Sequence, residues 1–157
     1  MTTPTLPLAG GCQCGRHRYS LAAAPRSLYA CHCTACQRQS GSAFGLSMPV
    51  DRAALNWDGP EPAVWSRQAA SGRRVGALFC PGCGTRLAHV PERDRSVLNL
   101  KPGTLDDTTW LRPVAHLWLD SAQPWVRVPE DALQYHQQPD DFTPIAERFR
   151  ALFPHWG

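Results

Sequence analysis

Cysteines in three short groups are the residues of this sequence most able to do chemistry. The seven are Cys12 and Cys14, then Cys31, Cys33 and Cys36, then Cys80 and Cys83. An odd number cannot all pair in disulfides, and cysteines so close in sequence seldom form unstrained disulfides with each other. Thiolates at these spacings converge readily on one ion, so the sequence predicts metal binding.

The pair Cys80 and Cys83 lies in the segment Cys80-Pro81-Gly82-Cys83-Gly84. Two thiolates separated by two residues can grip one zinc ion if the backbone turns tightly, which glycine permits. A redox dithiol is the alternative, but it would need a strand followed by a helix whose N-terminus holds the first thiol. Strand patterns lie on both sides of this pair, so the sequence favours a metal site.

The pair Cys12 and Cys14 is framed by glycines. On an extended segment, residues two apart share a face, so both sulfurs can reach one ion. Joined to Cys80 and Cys83, they would complete a closed site of four cysteines, the form typical of structural zinc. Spacing alone also allows Cys12 and Cys14 to pair with two of the three central cysteines.

The central segment, Cys31-His32-Cys33-Thr34-Ala35-Cys36, carries three thiols on one local bend. Three protein ligands leave a fourth position for water or substrate, which is typical of catalytic zinc. As an alternative, His32 would be a fourth ligand and close the site. However, a residue between the cysteines of a C-x-C pair tends to point away from their shared metal. A further alternative is that the three are ordinary buried cysteines without a metal.

The elements that must position these cysteines are predicted to be mostly short strands. In Arg16–Ala22, for example, His17, Tyr19 and Leu21 alternate with polar residues, as in a half-buried strand. Fifteen prolines and twelve glycines fit many turns and argue against a helical bundle. We predict strands over residues 16–22, 28–33, 44–50, 63–66, 73–79, 86–90, 96–100 and 114–119, and a turn over 56–62.

The C-terminal tail has a different pattern. Thr143 and Pro144 predict a helix start, a capping hydroxyl followed by proline. A polar face that mixes both charges favours an amphipathic helix packed on the sheet over a membrane anchor. Its apolar residues recur at helical spacing, at Phe142, Ile145, Phe149, Leu152 and Phe153.

Composition narrows the class of protein. With 157 residues, 43% hydrophobic and 18% charged, the chain fits one folded domain rather than a disordered segment. It has neither a long apolar stretch nor a secretory signal, so we expect a soluble, cytoplasmic protein without a membrane partner. Seven thiolates and two divalent ions would bring the formal charge of +3 to zero, which argues against a nucleic-acid partner.

Three segments together resemble the glutathione-dependent formaldehyde-activating enzyme family, which also includes centromere protein V. They are Gly11–Gly15, Cys31–Cys36 and Phe79–Gly84, which read Gly-x-Cys-x-Cys-Gly, Cys-His-Cys-x-x-Cys and Phe-Cys-x-x-Cys-Gly. Softer similarity at Gly41–Phe44 and Pro113–Trp125 extends the resemblance over most of the chain.

The resemblance implies a mainly β fold, a small tent of short antiparallel sheets built around zinc. It implies a structural zinc on Cys12, Cys14, Cys80 and Cys83, and a catalytic zinc on Cys31, Cys33 and Cys36. The activity it implies is a lyase reaction, the formation or cleavage of the carbon–sulfur bond in S-hydroxymethylglutathione. The partner would then be a small thiol or thiol adduct, with glutathione as the candidate.

An open three-cysteine zinc site suits this reaction, because a substrate thiol entering the fourth position would lose its proton and become a nucleophile. His32 or His116 would be the nearby groups able to move that proton, although a packed structural role is the commoner one for such histidines.

We expect an N-terminal extension over residues 1–10, a zinc-binding domain over 11–135 and a tail over 136–157 that holds the short helix. The alternative function is a non-enzymatic module, stabilised by zinc, that binds a small thiol or a protein. Exposed tryptophans would then anchor the partner.

Overall fold

Short strands make up most of the regular structure in the computed structural model of the chain, which describes residues 4–69 and 72–156. Strands account for 33% of the residues and helices for 19%. The predicted mainly β class with a C-terminal helix is therefore confirmed. Residues 1–3 of the predicted extension and residue 157 of the predicted tail lie outside the described residues.

The chain divides into two compact units, one formed by Met1–Pro25 and Met48–Trp110 and the other by Arg26–Ser47 and Leu111–Gly157. The strands are β1 Leu8–Gly11, β2 Arg18–Leu21, β3 Tyr29–Cys31, β4 Gly45–Asp51, β5 Leu55–Asp58, β6 Ala63–Gln68, β7 Arg74–Phe79, β8 Arg86–Pro91, β9 Val97–Leu100, β10 Ala115–Leu117 and β11 Leu133–Gln134. The helices are α1 Thr34–Ser40 and α2 Thr143–Leu152. Within the described ranges, neither helix has the length and apolarity that crossing a membrane requires.

The first unit is built from antiparallel strands. Strands β1, β2 and β5 form one sheet. In the other, β6 pairs with β7, β7 with β8, β8 with β9, and β9 with residues 48–51 of β4. The predicted alternation is present, since His17, Tyr19 and Leu21 are buried while Arg18 and Ser20 are partly exposed. This packing brings the segments around Cys12 and Cys80 together.

The second unit has a small mixed sheet. Strand β3 pairs antiparallel with residues 45–47 of β4 and parallel with β10, which pairs parallel with β11. Parallel neighbours need a long connection, and β3 and β10 are far apart in sequence. Because Cys31 pairs with both Gly45 and Leu117, it is held at the centre of this sheet.

Two local predictions are wrong. The strand predicted over residues 28–33 ends at Cys31, and the chain then enters helix α1. Strand β5 occupies the first half of the predicted turn over 56–62, because Leu55 and Trp57 alternate inward and pair with β2. At Cys33 the helix cap ends the strand, and at β5 pairing with β2 outweighs the local preference of asparagine and aspartate for turns.

Helix α2 begins at Thr143, as predicted, and buries Ile145 and Phe149. The predicted cap is wrong, because the Asp141 carboxylate, not the Thr143 hydroxyl, accepts the first free backbone N–H. Thr143 N–H donates to Asp141 Oδ1 at 2.8 Å, and this bond holds the pKa of Asp141 below its usual range.

Candidate metal centres

Four of the predicted ligands, Cys12, Cys14, Cys80 and Cys83, form one group in the first unit. Their sulfur atoms all lie within 4.8 Å of one another. The Cys12–Cys14 sulfurs are 3.6 Å apart and the Cys14–Cys80 sulfurs 3.7 Å apart. Four sulfurs at tetrahedral corners around zinc, each about 2.3 Å from the ion, would lie about 3.8 Å from each other. The spacing therefore fits a tetrahedral ion of that size.

Both halves of this four-cysteine group are built by the same kind of turn. In each, the N–H of the first cysteine donates to the carbonyl five residues later: Cys12 to His17 at 2.9 Å and Cys80 to Thr85 at 2.9 Å. Gly15, with φ of 77°, and Gly84, with φ of 75°, close the two turns. A side chain is disfavoured at these angles, so the glycines allow both cysteines of a turn to face inward.

Thr85 ties the two halves together. Its Oγ1 lies 3.1 Å from the Cys83 sulfur and also accepts the Gln13 N–H at 3.1 Å. The hydroxyl of Thr85, followed by its backbone N–H, lowers the pKa of the Cys83 thiol to about 5. Hydrogen bonds of this kind stabilise thiolates and fix metal ligands in place. Sequence reasoning missed Thr85, although it directly follows the Cys-Gly end of the motif.

Positive charge lies beside these sulfurs. The Arg16 guanidinium, the Cys14 sulfur and the Cys80 sulfur all lie within 4 Å of the point that a Cβ on Gly82 would occupy. His17 N–H also donates to the Cys12 sulfur at 3.2 Å. These groups offset part of the negative charge that four thiolates would carry around a divalent ion.

The other three predicted ligands, Cys31, Cys33 and Cys36, form a second group in the second unit. Their sulfurs also lie within 4.8 Å of one another, and no fourth ligand atom belongs to the group among the described residues. Cys31 and Cys36 are buried and Cys33 is half-buried. Hydrogen bonds from Cys31 and Cys36 lower the pKa of the Cys33 thiol to about 2, whereas the same neighbours raise the pKa of Cys31. Three such close sulfurs can all ionise only beside a cation, which is what a metal site requires.

Helix α1 explains how three cysteines close in sequence converge. Cys33 is its N-cap, and its sulfur accepts the Cys36 N–H at 3.4 Å. Cys36 lies in the first turn of the helix, so its side chain returns to the end of β3 where Cys31 lies. Gly45, opposite Cys31, lies against Cys36: a Cβ on Gly45 would be 3.4 Å from the Cys36 Cβ, at contact distance.

His32 does not join the three-cysteine group. Its Nε2 lies 2.9 Å from His116 Nδ1, and the two buried rings are stacked 5.1 Å apart. Burial, and then the neighbouring His32, lower the pKa of His116 to about 4, and burial lowers the pKa of His32. Both lowered pKa values favour neutral imidazoles near pH 7, in which one ring donates its N–H to the other.

A polar network holds the backbone of the turn between the cysteines. The His32 carbonyl accepts a hydrogen bond from Gln37 Nε2 at 2.7 Å and another from Ser121 Oγ at 3.0 Å. Gln37 also donates to the Ser121 carbonyl at 2.7 Å. Trp118 begins this Ser121 turn with φ of 63°, a left-handed conformation that is costly for a side-chain-bearing residue. The network therefore fixes the loop on which two of the three cysteines stand.

The structure thus brings together every predicted ligand, four in one group and three in the other. Sequence reasoning missed helix α1 and the pairing of His32 with His116. The helix had a signal: Ala35, Gln37, Arg38 and Gln39 favour helix, and Gly41 ends it with φ of 59°. The histidine pairing had none, because the two residues meet only through the parallel pairing of β3 with β10.

These features define a small, mainly β protein with two potential metal centres, each built from cysteines. The sequence profile of the glutathione-dependent formaldehyde-activating enzyme family matches residues 7–121. The chain therefore belongs to this family, and the resemblance seen in its cysteine motifs is confirmed. Membership relates it to the chemistry of glutathione and formaldehyde.

The fold is also similar to that of a Rhodobacter sphaeroides protein of known crystal structure. The TM-score is 0.51, and the match covers 68% of this chain and 92% of that one. At 16% sequence identity, this likeness shows the fold alone. No curated protein matches the chain in sequence.

Proposed function

We propose that the chain is an enzyme that forms or cleaves the carbon–sulfur bond of a thiol–aldehyde adduct, of the S-hydroxymethylglutathione type. The observation that carries this proposal is the three-cysteine group, whose ligand set holds three sulfurs and no fourth side chain among the described residues. In the forming direction, the thiol sulfur bonds to the aldehyde carbon, the carbonyl π bond breaks, and the thiol proton ends on the new hydroxyl oxygen.

The two groups would hold two zinc ions in different roles. Cys12, Cys14, Cys80 and Cys83 present a complete ligand set, so we assign them a structural ion. Zinc on Cys31, Cys33 and Cys36 would hold the substrate sulfur and favour its thiolate form. Cys33 is only half-buried, which supports access from solvent to this group.

In this proposal, His32 and His116 hold the cysteine-bearing segment in place and do not transfer the proton. A charged imidazole would be costly in this buried pair, so neither ring is suited to keep the proton that the thiol loses. Their hydrogen bond instead joins the residue after β3 to β10, while Gln37 and Ser121 hold the His32 carbonyl. We infer that these four residues keep the three sulfurs in place while the substrate sulfur enters and leaves.

A second candidate function is a binding module without catalysis. Trp125 is 70% exposed, which is unusual for tryptophan and favours a partner surface. The two candidates differ in what the three-cysteine group does, so a single cysteine variant separates them.

The test measures S-hydroxymethylglutathione formation from formaldehyde and glutathione by NMR, against the uncatalysed rate. We expect acceleration by the zinc-loaded chain, its loss in Cys33→Ala, and its retention in the matched control Thr34→Ala, an exposed neighbour in α1. Both variants should keep their circular dichroism. Repeating the assay with cysteine and 2-mercaptoethanol tests the thiol class. A folded chain with two zinc ions and no acceleration with any thiol would refute the enzyme proposal.

A further inference from the structure

One face of strands β6, β7 and β8 carries two arginines, Arg67 and Arg86, that form no ion pair with a carboxylate among the described residues. Trp65 of β6 pairs with Ala77 of β7, which pairs with His89 of β8, so the three side chains share a face. Arg67, two residues after Trp65, lies on the same face. We call Trp65, Arg67, Arg86 and His89 the cationic face.

A β-bulge brings Arg86 to this face. The pairing register of β7 and β8 shifts between Leu78 and Phe79, where Phe79 faces Arg86. Bulges re-aim side chains, and here Arg86 Nη1 reaches the His89 ring and donates to its Nε2 at 3.0 Å. The guanidinium of Arg86 is thus directed along the strand, toward the end of the sheet where Arg67 lies.

The charge of Arg86 is poorly compensated. The residue is partly buried, and its Nε is enclosed without a hydrogen-bond partner among the described residues. Burial, and then the positive charge of Arg67, lower the pKa of Arg86. Removing a charge from water without a counter-charge is costly, so folded proteins rarely leave such a group unmatched.

Arg67, whose positive charge acts on Arg86, also lacks a counter-charge in the described part of the chain. It is also partly buried, and within residues 4–69 and 72–156 it makes no ion pair or side-chain hydrogen bond. Two other arginines do pair with carboxylates, Arg18 with Asp106 and Arg112 with Asp131. Arg67 and Arg86 therefore lie close together, partly buried, with no carboxylate partner among the described residues.

We propose that the cationic face is a binding site for a small dianionic oxyanion, a phosphate monoester or a dicarboxylate. Two guanidinium groups match a dianion in charge and present forked N–H donors to its oxygens. Trp65, 53% exposed beside them, offers an apolar surface to the rest of the ligand. The proposal is independent of the two cysteine groups and of the proposed function.

The probes are inorganic phosphate and succinate, titrated into the zinc-loaded chain by calorimetry at constant ionic strength. We expect Arg86→Gln and Arg67→Gln each to raise the dissociation constant about tenfold or more, since each removes a charge-assisted contact. Arg52→Gln, which removes an exposed arginine elsewhere in the first unit, should leave binding unchanged. The anion whose affinity depends on the two arginines identifies the ligand class. Equal affinity in wild type and both variants, for both anions, overturns the proposal.

Thermal unfolding separates a binding site from a structural role. Without phosphate, Arg67→Gln should unfold at the wild-type temperature or higher, because it removes repulsion of Arg86. With phosphate, wild type and Arg52→Gln should gain stability, and Arg67→Gln should not. If Arg67→Gln is less stable by the same amount with and without phosphate, Arg67 is a structural residue and the proposal fails.

Discussion

The two cysteine groups use the same ligand atom but differ in how the chain builds them. The four-cysteine group joins two similar turns from distant parts of the sequence. The three-cysteine group comes from one short segment, at a strand-to-helix junction. Closing a long loop stabilises a fold, whereas a local cluster adds little to the tertiary structure. The comparison indicates that two sites with the same ligand atom can differ in how much they would stabilise the fold. The separation of the ligands in sequence decides that difference.

The sharpest way to break this comparison is to remove one buried ligand from each group. We expect Cys80→Ala to cost more than about 3 kcal/mol of unfolding free energy, because it would disrupt the proposed structural ion, which would join distant segments. Cys80 is fully buried in its group. The measurement is urea unfolding followed by circular dichroism, with zinc counted per chain.

The matched variant is Cys36→Ala, also buried but in the three-cysteine group. It should lose one zinc and remain folded. Equal losses of stability in the two variants would contradict the division into a structural and an open site.

The role of Thr85 sharpens the comparison, since its hydroxyl links the two halves of the four-cysteine group. Thr85→Val should weaken zinc binding by the four-cysteine group about 10- to 100-fold, the usual effect of losing a hydrogen bond to a metal ligand. Competition with a chromophoric chelator measures this affinity. Thr85→Ser keeps the hydroxyl and should stay close to wild type; a loss as large as that of valine would mean that the methyl group, not the hydrogen bond, matters.

The smallest effect is expected at the N-cap of α1. Cys33→Ala removes the sulfur that accepts the Cys36 N–H, so the zinc-free chain should lose about 1 kcal/mol of unfolding free energy. Cys33→Ser restores an acceptor and should recover most of that loss without restoring the zinc ligand. Thermal unfolding of the zinc-free chains compares the two. Identical stability of alanine and serine variants would show that the cap is not significant.

Much of the fold follows from local pattern. The alternation around Tyr19 and the apolar spacing of Ile145 and Phe149 are short-range signals, so strand β2 and helix α2 could be predicted. Strand β5 could not, because Asn56 and Asp58 favour turns and only pairing with β2 makes them extended. Helix α1 lies between these cases, since its residues favour helix but its seven residues are too few to show a helical apolar pattern.

The sequence by itself determined the candidate ligands, because the separation of cysteines along the chain is the same in any fold. Only the tertiary structure decided which sulfurs meet and what surrounds them. Thr85 joins Gln13 to Cys83, and His32 meets His116, because strands far apart in sequence become neighbours. The unmatched charge of Arg67 and Arg86 has the same origin. A chain's composition counts its charges, but only packing decides which of them face each other and which are buried without a partner.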